Sequence, residues 1–295
     1  MITLNKEYKI LSDRLRGKKP KFKVQKDGKT YIYKYGAINY EIWAELIAEQ
    51  LGIQAGINMA RYRLASYNNT FGVLTDYFLE PGELIISYDN LKKASQEILN
   101  ENNIPINLKT NSIENIMQAI YTYDNTIDCQ QLSFDLTKRW AFYGLIMESD
   151  KNETNIGFIK SSTTGLRLTP DYDNSSMASL NNNINSNIDA IKSGYSIYYF
   201  TDNIKSNLNR SEKDTGFFLE DFKSFAEKHP KQCEEIMASF ELINPEEAMN
   251  KVEEINTVTI PWEVRFWVNE TIKNRKKDMK EILLNSQKKT KKNNI

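Results

Sequence analysis

Polar and apolar positions alternate near the start of the chain, as they do in a half-buried strand. The alternation covers Lys21 to Val24 and Lys29 to Lys34, and the turn-forming residues Lys26-Asp27-Gly28 lie between the two runs, so a β-hairpin is predicted. From Tyr40 to Leu51 the apolar positions are instead three and four apart. This spacing predicts an amphipathic helix that stops at Gly52.

Further strands are predicted after this helix, over residues 60–65 and 72–79. Beyond residue 80 the pattern becomes mainly helical, apart from two short strands at 155–159 and 166–168 and an Asn- and Ser-rich segment, 174–187, that predicts an extended loop. The predicted helices cover residues 113–121, 133–148, 219–228, 234–242, 245–255 and 262–284.

The order of these elements predicts an α+β fold. We expect a small β-rich N-terminal domain over residues 1–79 and a larger helical domain over residues 80–295. The polar and basic end of the chain, 288–295, is predicted to be a solvated, frayed tail.

Composition narrows the class of protein. Hydrophobic residues make up 40% and charged residues 26% of the 295 residues, which is typical of a soluble globular protein. Lys plus Arg and Asp plus Glu both number 39, so there is no basic excess and no direct binding to nucleic acid is predicted. No apolar run approaches the length of a membrane span, and residues 1–16 lack the apolar segment of a secretion signal. We therefore expect a cytoplasmic protein that does not bind membranes.

Cysteine and histidine usage argues against two common kinds of site. Cys129 and Cys233 are far apart in sequence and belong to no metal-spaced pair, so both are predicted to be reduced, buried thiols. The chain has a single histidine, His229, and neither a zinc site nor a Ser-His-Asp triad is predicted from it.

A cluster of polar residues follows the apolar helix that ends near residue 148. Asp150 and Asn155 stand five positions apart before a short strand, and Asp173 lies at the end of the next short strand. Phosphoryl transfer uses this set of groups, because one carboxylate orients the attacking hydroxyl or accepts its proton while an Asn and an Asp hold Mg²⁺ against the phosphates. The three residues are therefore predicted to form a catalytic core. The alternative is that Asp and Asn are ordinary loop residues here, since this spacing alone often arises by chance.

The N-terminal elements offer groups for a nucleotide. Lys34 ends a predicted strand, from which it can contact ATP phosphates, and Glu41 opens the next helix, where it can pair with Lys34. The alternative is a pair of surface charges worth little to stability. Asp76, Tyr77 and Phe78 lie where the second strand pair meets the helical half, a place where adenine can bond to the backbone. Ordinary core packing accounts for Tyr77 and Phe78 equally well.

A phosphate-covering loop is predicted before the hairpin. Residues 14–21 contain Gly17 among basic residues and end at Lys21, and such backbone N–H groups and lysines can hold phosphates. Neither of the common glycine-rich phosphate motifs is present. A flexible basic loop is the alternative explanation.

Taken in order, these segments resemble the HipA-like serine/threonine kinases, which are toxins of bacterial toxin–antitoxin pairs. The similarity runs from about residue 17 to residue 180. Its more specific parts are the helix end Leu51-Gly52-Ile53 and the run Leu168-Thr169-Pro170-Asp171-Tyr172-Asp173. The remaining segments that carry the resemblance are Tyr31 to Lys34, Glu41, Leu46 to Ile53, Leu74 to Phe78 and Asp150 to Asn155.

The resemblance implies a two-lobed, protein-kinase-like fold, with a small β-rich N-lobe and a larger helical C-lobe, that uses ATP and Mg²⁺. It implies that Lys34 holds the ATP phosphates with Glu41 as its partner, and that Asp76 and Phe78 lie at the adenine hinge.

For the catalytic core, the resemblance implies that Asp150 is the catalytic base. Asn155 and Asp173 would then be the Mg²⁺ ligands.

This sequence departs from the family's pattern in two respects. The family usually has His and Lys between the catalytic Asp and Asn, whereas Asn152 and Thr154 stand there in this chain, which leaves the choice of substrate open. Longer members carry a further N-terminal subdomain before the phosphate loop, so we expect a short form limited to the kinase core. A protein substrate and an antitoxin-type partner protein are implied by the resemblance.

A protein Ser/Thr kinase is thus the leading hypothesis, and three alternatives remain. The segment from Asp150 to Asn155 is also similar to that of phosphoinositide-type lipid kinases, so the acceptor is a lipid or another small molecule in the first alternative. In the second, the chain is a pseudokinase that binds nucleotide without turnover, and in the third it is an interaction protein with no nucleotide site.

Overall fold

A computed structural model of the chain describes residues 1–12, 20–35, 39–108, 113–151, 153–161, 163, 165–180, 184–194, 205–211 and 214–293. These residues form a mixture of strands and helices, which confirms the predicted α+β class. The strands are β1 (Ile2–Thr3), β2 (Lys9–Ser12), β3 (Lys21–Lys26), β4 (Lys29–Tyr35), β5 (Tyr62–Tyr67), β6 (Thr70–Asp76), β7 (Leu84–Ser87), β8 (Gly157–Ser161), β9 (Gly165–Leu168), β10 (Lys205–Ser211) and β11 (Asp214–Phe217). The α-helices are α1 (Asn39–Gln54), α2 (Tyr88–Glu101), α3 (Ile113–Tyr123), α4 (Cys129–Ile146), α5 (Ile184–Lys192), α6 (Phe218–Lys228), α7 (Pro230–Glu241), α8 (Pro245–Asn256) and α9 (Trp262–Asn293).

The chain divides into two compact units, each made of several segments. The first unit comprises Met1–Phe78, Asp173–Thr201 and Ser239–Asn274, and the second comprises Leu79–Tyr172, Asp202–Ala238 and Arg275–Ile295. The expected division into domains 1–79 and 80–295 stays a prediction.

A six-stranded sheet in the order β1-β5-β6-β4-β3-β2 forms the β part of the first unit. The predicted hairpin is β3 and β4, and both turn residues, Asp27 (φ 50°) and Gly28 (φ 78°), have positive φ, as a two-residue turn between twisted strands requires. One face of the sheet is closed by aromatic packing of Tyr33 on Phe22 and Tyr35. The Tyr33 hydroxyl also donates to the Thr70 carbonyl at 2.6 Å, which ties the hairpin to the turn between β5 and β6.

Helix α1 extends past its predicted stop. Gly52 lies inside the helix, and the Met59 side chain packs so closely on it that a Cβ there would lie 2.3 Å from the Met59 sulfur. The helix ends instead at Gln54, and the φ of 70° at Gly56 allows the Ile57 N–H to bond the Gly52 carbonyl at 2.8 Å, a common C-terminal capping arrangement.

The second unit contains the antiparallel sheet β7-β8-β9. β8 and β9 match the two short strands predicted at 155–159 and 166–168, displaced by one or two residues. Side-chain caps define two of its helices, since Ser87 caps α2 and Asp128 caps α4.

Two local predictions were wrong, and two strands were missed. The segment 174–187, predicted as a loop, contains a 3₁₀ turn at Met177–Ser179 and the start of α5, whose Ile184 and Ile188 are buried, so packing overrides the low helix propensity of its Asn residues. Helix α9 continues to Asn293, into the predicted frayed tail. Strands β1 and β2, which pair with β5 and β3, were not predicted.

Two further sequence expectations have structural outcomes. Cys233 is free and buried, as predicted, whereas the side chain of Cys129 lies outside the described residues. No helix within the described ranges is both long and apolar enough to cross a membrane.

Candidate active site

A partly buried lysine near the end of β4 is the centre of the candidate site in the first unit. Lys34 Nζ lies 2.7 Å from Glu45 Oε1 and also contacts an Asp173 carboxylate oxygen. The side chains of Lys34 and Glu45 are only 12% and 2% exposed. Burial by itself would lower the pKa of Lys34, but the Glu45 and Asp173 carboxylates outweigh it and the pKa lies above its ordinary value. The ammonium is therefore charged throughout the physiological pH range.

The structure corrects the predicted partner of Lys34. The carboxylate that pairs with the ammonium belongs to Glu45, one turn further along α1 than Glu41. Glu41 lies in the first turn of the helix, whereas Glu45 is buried where α1 covers the sheet. The i, i+4 spacing of the two residues was the signal available in the sequence, because it places both on one helix face.

Asp173 is held from three sides. Its carboxylate contacts Lys34, its backbone N–H donates to the Tyr62 hydroxyl at 3.1 Å, and the next N–H, of Asn174, donates to Glu45 Oε2 at 2.9 Å. Asp173 has a φ of 61°, a left-handed conformation that non-glycine residues rarely adopt and that surrounding contacts must maintain. Glu45 thus fixes both the lysine and the backbone next to Asp173.

Tyr62 is itself positioned from α1. Glu49, one turn beyond Glu45 and 1% exposed, accepts the Tyr62 N–H at 2.7 Å and lies 3.5 Å from an Arg61 nitrogen. Burial raises the pKa of Glu49, although the Tyr62 N–H and the two arginines at 61 and 63 oppose the shift. Sequence reasoning missed this residue, which stands four positions after Glu45.

The predicted nucleotide-binding residues lie on or beside the same sheet. Lys21 stands directly opposite Lys34 in the pairing of β3 with β4, so both side chains leave the same face of the sheet. Asp76 ends β6 and is exposed, and the Tyr77 N–H donates to the Thr30 carbonyl at 3.0 Å. Lys23 Nζ lies 4.1 Å from the centre of the Tyr77 ring. Tyr77 and Phe78 are half-buried, so neither is a fully packed core residue.

The predicted phosphate loop cannot be assigned a geometry. Gly17 lies outside the described residues, as does Asn152 in the later loop.

The second unit holds the loop from Asp150 to Asn155. The Asp150 N–H donates to the buried Glu148 carboxylate at 2.9 Å, and Asn155 Nδ2 donates to the Asp150 carbonyl at 2.9 Å. The second of these bonds links the two ends of the five-residue spacing. Because Asn155 uses its amide nitrogen here, its oxygen is the atom with the chemistry of a metal ligand; the Thr154 hydroxyl approaches it at 3.5 Å.

A buried lysine lies beside this loop as well. Lys151 is fully buried, its Nζ lies 3.4 Å from Asp171 Oδ1, and it donates to the Tyr172 carbonyl. The Tyr143 hydroxyl on α4 donates to the same Asp171 oxygen at 2.5 Å. Burial, reinforced by the Asp171 charge, raises the pKa of Tyr143 well above its ordinary value. Neither Lys151 nor Asp171 was singled out from the sequence, because a charged loop residue is usually solvated.

The donor atoms fit Mg²⁺. The described residues contain no group of three or more His, Cys, Asp and Glu side chains arranged to hold a metal, so a self-contained protein cage is absent from this part of the chain. Asp173 in the first unit and Asn155 in the second each offer a side-chain oxygen of the kind that Mg²⁺ takes when phosphate oxygens and waters complete its shell.

Comparisons with known proteins agree with this fold. CtkA, a proinflammatory kinase of Helicobacter pylori, is similar over 97% of this chain and 98% of its own, with 15% identity and a TM-score of 0.73. HipA of Shewanella oneidensis MR-1, from a complex with HipB and operator DNA, is similar over 92% of this chain, with 14% identity and a TM-score of 0.52. This chain covers 65% of that HipA chain. No curated protein matches the sequence.

The likeness to these two structures confirms the kinase-like fold. A family model described as the HipA-like C-terminal domain matches residues 14–257, which is most of the sequence. The chain therefore belongs to the HipA-like C-terminal domain family.

Proposed function

We propose that this protein is an ATP-dependent phosphotransferase that acts as a Ser/Thr protein kinase. The observation that carries the proposal is the partly buried contact of Lys34 with both Glu45 and Asp173. A lysine ion-paired to a helix carboxylate and set beside a metal-binding carboxylate is the arrangement that kinases use to hold phosphates. The proposal is also supported by the family and by the kinase-like fold.

Each residue has a proposed role. Lys34 donates to the nucleotide phosphates, and Glu45 keeps the Lys34 ammonium charged and directed toward them. Asp150 orients the acceptor hydroxyl and takes its proton. Asn155 and Asp173 would hold Mg²⁺, which offsets the phosphate charge when bound.

The remaining proposed roles concern nucleotide binding. We propose that Asp76, Tyr77 and Phe78 line the adenine and that Gly17 and Lys21 contact the phosphates.

An antitoxin-type partner is a further part of the proposal. It is supported by the presence of HipB in the Shewanella HipA complex. We expect this protein to bind a partner protein of that type rather than to bind DNA itself, because its net charge is zero.

The test is transfer of label from γ-labelled ATP with Mg²⁺. Wild type should label itself or an added protein, and Asp150→Ala and Asp173→Ala should each lose transfer by at least about 100-fold. Asp189→Ala, which removes an exposed carboxylate on α5, is the matched control and should retain transfer.

The negative outcomes separate the alternatives. If wild type binds ATP without transfer, the chain is a pseudokinase. Transfer only to an added lipid or small acceptor would contradict the protein-kinase assignment, and absence of ATP binding would overturn the proposed function altogether.

A further inference from the structure

Hydrogen bonds hold the backbone on both sides of Asp173 in sequence. The roles proposed above do not explain the bond that precedes Asp173. Tyr62 and Glu45 accept the N–H groups of Asp173 and Asn174. The carbonyl of Tyr172, immediately before Asp173, accepts a hydrogen bond from Lys151. That lysine directly follows Asp150 in the chain.

Burial of the Lys151 ammonium is energetically unfavourable. The Lys151 side chain is 0% exposed and that of Asp171 is 2% exposed, so both charges are withdrawn from water. Removing two charges from water costs several kcal/mol per ion in order of magnitude, and their attraction repays this only when further hydrogen bonds satisfy them. A hydrophobic pair of similar size would fill this space at a smaller cost, so the pair is retained at the expense of stability unless it has another use.

The contacts of Lys151 indicate what that use is. The ammonium donates to the Tyr172 carbonyl, lies 3.4 Å from Asp171, and lies 4.9 Å from the centre of the Tyr143 ring and 5.8 Å from that of Tyr172. Asp171 is in turn fixed by the Tyr143 hydroxyl. The lysine therefore cannot turn away, and it holds one defined peptide plane, the one between Tyr172 and Asp173.

That peptide plane sets the conformation of Asp173. A residue with φ of 61° relaxes toward negative φ unless its flanking peptides are restrained. Rotation of the preceding peptide would break the Lys151 bond to the Tyr172 carbonyl. The direction of the Asp173 carboxylate thus depends on Lys151, although the two side chains need not touch.

We propose that Lys151 is a positioning residue, which holds the Tyr172–Asp173 peptide so that Asp173 presents its carboxylate to a divalent metal. This inference rests on the proposed function for the identity of the metal site. On this proposal, the unfavourable burial of the Lys151–Asp171 ion pair serves to fix the orientation of one metal ligand, Asp173.

Arg139 supplies a matched control. It is 7% exposed and its Nη2 donates to the Thr169 carbonyl at 2.6 Å, so it is also a buried cation on a backbone carbonyl of the same segment. Arg139 binds the carbonyl four residues before Asp173, whereas Lys151 binds the carbonyl one residue before it. Arg139→Met and Lys151→Met should destabilise the protein to a similar extent, but only the second should loosen Asp173.

The experiment measures Mn²⁺ binding by electron paramagnetic resonance, in the presence of a non-hydrolysable ATP analogue, beside urea unfolding of each variant. Lys151→Met should weaken Mn²⁺ binding by about 10-fold or more, as is typical of residues that orient metal ligands. Arg139→Met should change the Mn²⁺ affinity by less than about 2-fold. Kinetics should show a lower kcat and a higher Mg²⁺ requirement with little change in KM for ATP.

Three results would overturn the inference. Equal Mn²⁺ affinity in Lys151→Met and Arg139→Met would reduce Lys151 to a structural residue, as would a loss of affinity that follows urea stability alone. Absence of Mn²⁺ binding by wild type would remove the ligand that Lys151 is proposed to serve. A wild type that binds Mn²⁺ but transfers no phosphate contradicts the proposed function alone, because the Mn²⁺ comparison still decides the role of Lys151.

Discussion

Each compact unit holds a lysine against carboxylate oxygen, partly buried in the first unit and fully buried in the second. The two lysines differ in how much of the ammonium stays accessible to a ligand. Lys34 contacts the side chain of Asp173, a carboxylate that we propose binds metal, and retains 12% exposure. Lys151 contacts Asp171 and a backbone carbonyl and retains none. We propose that the first lysine exchanges its partner for a phosphate, whereas the second, which is fully buried, keeps its contacts with Asp171 and the Tyr172 carbonyl. A buried lysine is thus evidence for ligand binding only when part of its donor capacity can be released.

The largest effect should come from removing the first ammonium. Lys34→Met leaves Glu45 and Asp173 without their cation, and breaking a buried ion pair in this way costs about 3 kcal/mol or more. We expect lower urea stability, loss of phosphate transfer, and loss of the thermal stabilisation by ATP. Lys151→Met is the comparison and should keep ATP stabilisation; equal loss in both variants would mean that the two lysines do not differ as described.

The next effect separates Glu45 from Glu41. Glu45→Gln keeps the shape but removes the charge-assisted bond to Lys34, worth about 1.5–3 kcal/mol, so kcat/KM should fall by about 10- to 100-fold. For Glu41→Gln, on the same helix face, the fall in kcat/KM should be at least about 10-fold smaller. A larger loss at Glu41 would restore the partner predicted from the sequence.

A smaller effect is expected from Tyr62→Phe. The variant leaves the Asp173 N–H without its hydroxyl acceptor, a loss of about 1 kcal/mol that should raise the Mg²⁺ requirement by roughly 5-fold. Tyr67→Phe, at the other end of β5, is the control. The measurement is the Mg²⁺ dependence of transfer, and identical curves for both variants would show that Tyr62 does not support Asp173.

The smallest expected effect concerns a buried group that has no ion pair. Burial raises the pKa of Cys233 to about 12, above the value of about 8.5 in an unfolded chain. The folded form therefore favours the thiol; this contribution to stability is fully present below pH 8.5 and is lost as the pH rises toward 12.

Alkylation measures that shift. In a Cys129→Ser background, iodoacetamide at pH 8.5 should label native Cys233 at least about 100-fold more slowly than urea-unfolded protein, while phosphate transfer stays unchanged. Comparable rates in the two states would show that the thiol is accessible in the folded protein.

Sequence reasoning predicted the elements whose signals are local. The hairpin of β3 and β4 has alternation and a turn that permits positive φ, and the spacing of Asp150 and Asn155 is closed by bonds within the loop itself. Both patterns are complete within a few residues, so no tertiary information was needed.

The missed features depend on distant contacts. Strand β1 is two residues long and pairs with β5, more than sixty residues later. Glu45 could not be preferred over Glu41 without knowing where α1 begins, and Lys151 could not be distinguished from a solvated loop lysine until α4 and the segment before Asp173 were placed around it. In each case the deciding contact joins different elements of the fold.

The two amides that follow Tyr172 have a consequence for hydrogen-exchange experiments. The N–H groups of Asp173 and Asn174 donate to the side chains of Tyr62 and Glu45, not to neighbouring strands or helix carbonyls. Their exchange with deuterium is therefore governed by how long those two side chains stay in place rather than by the opening of a sheet or helix. A peptide that spans them would act as a built-in reporter, whose uptake of deuterium follows the occupancy of the site while the rest of the fold remains closed.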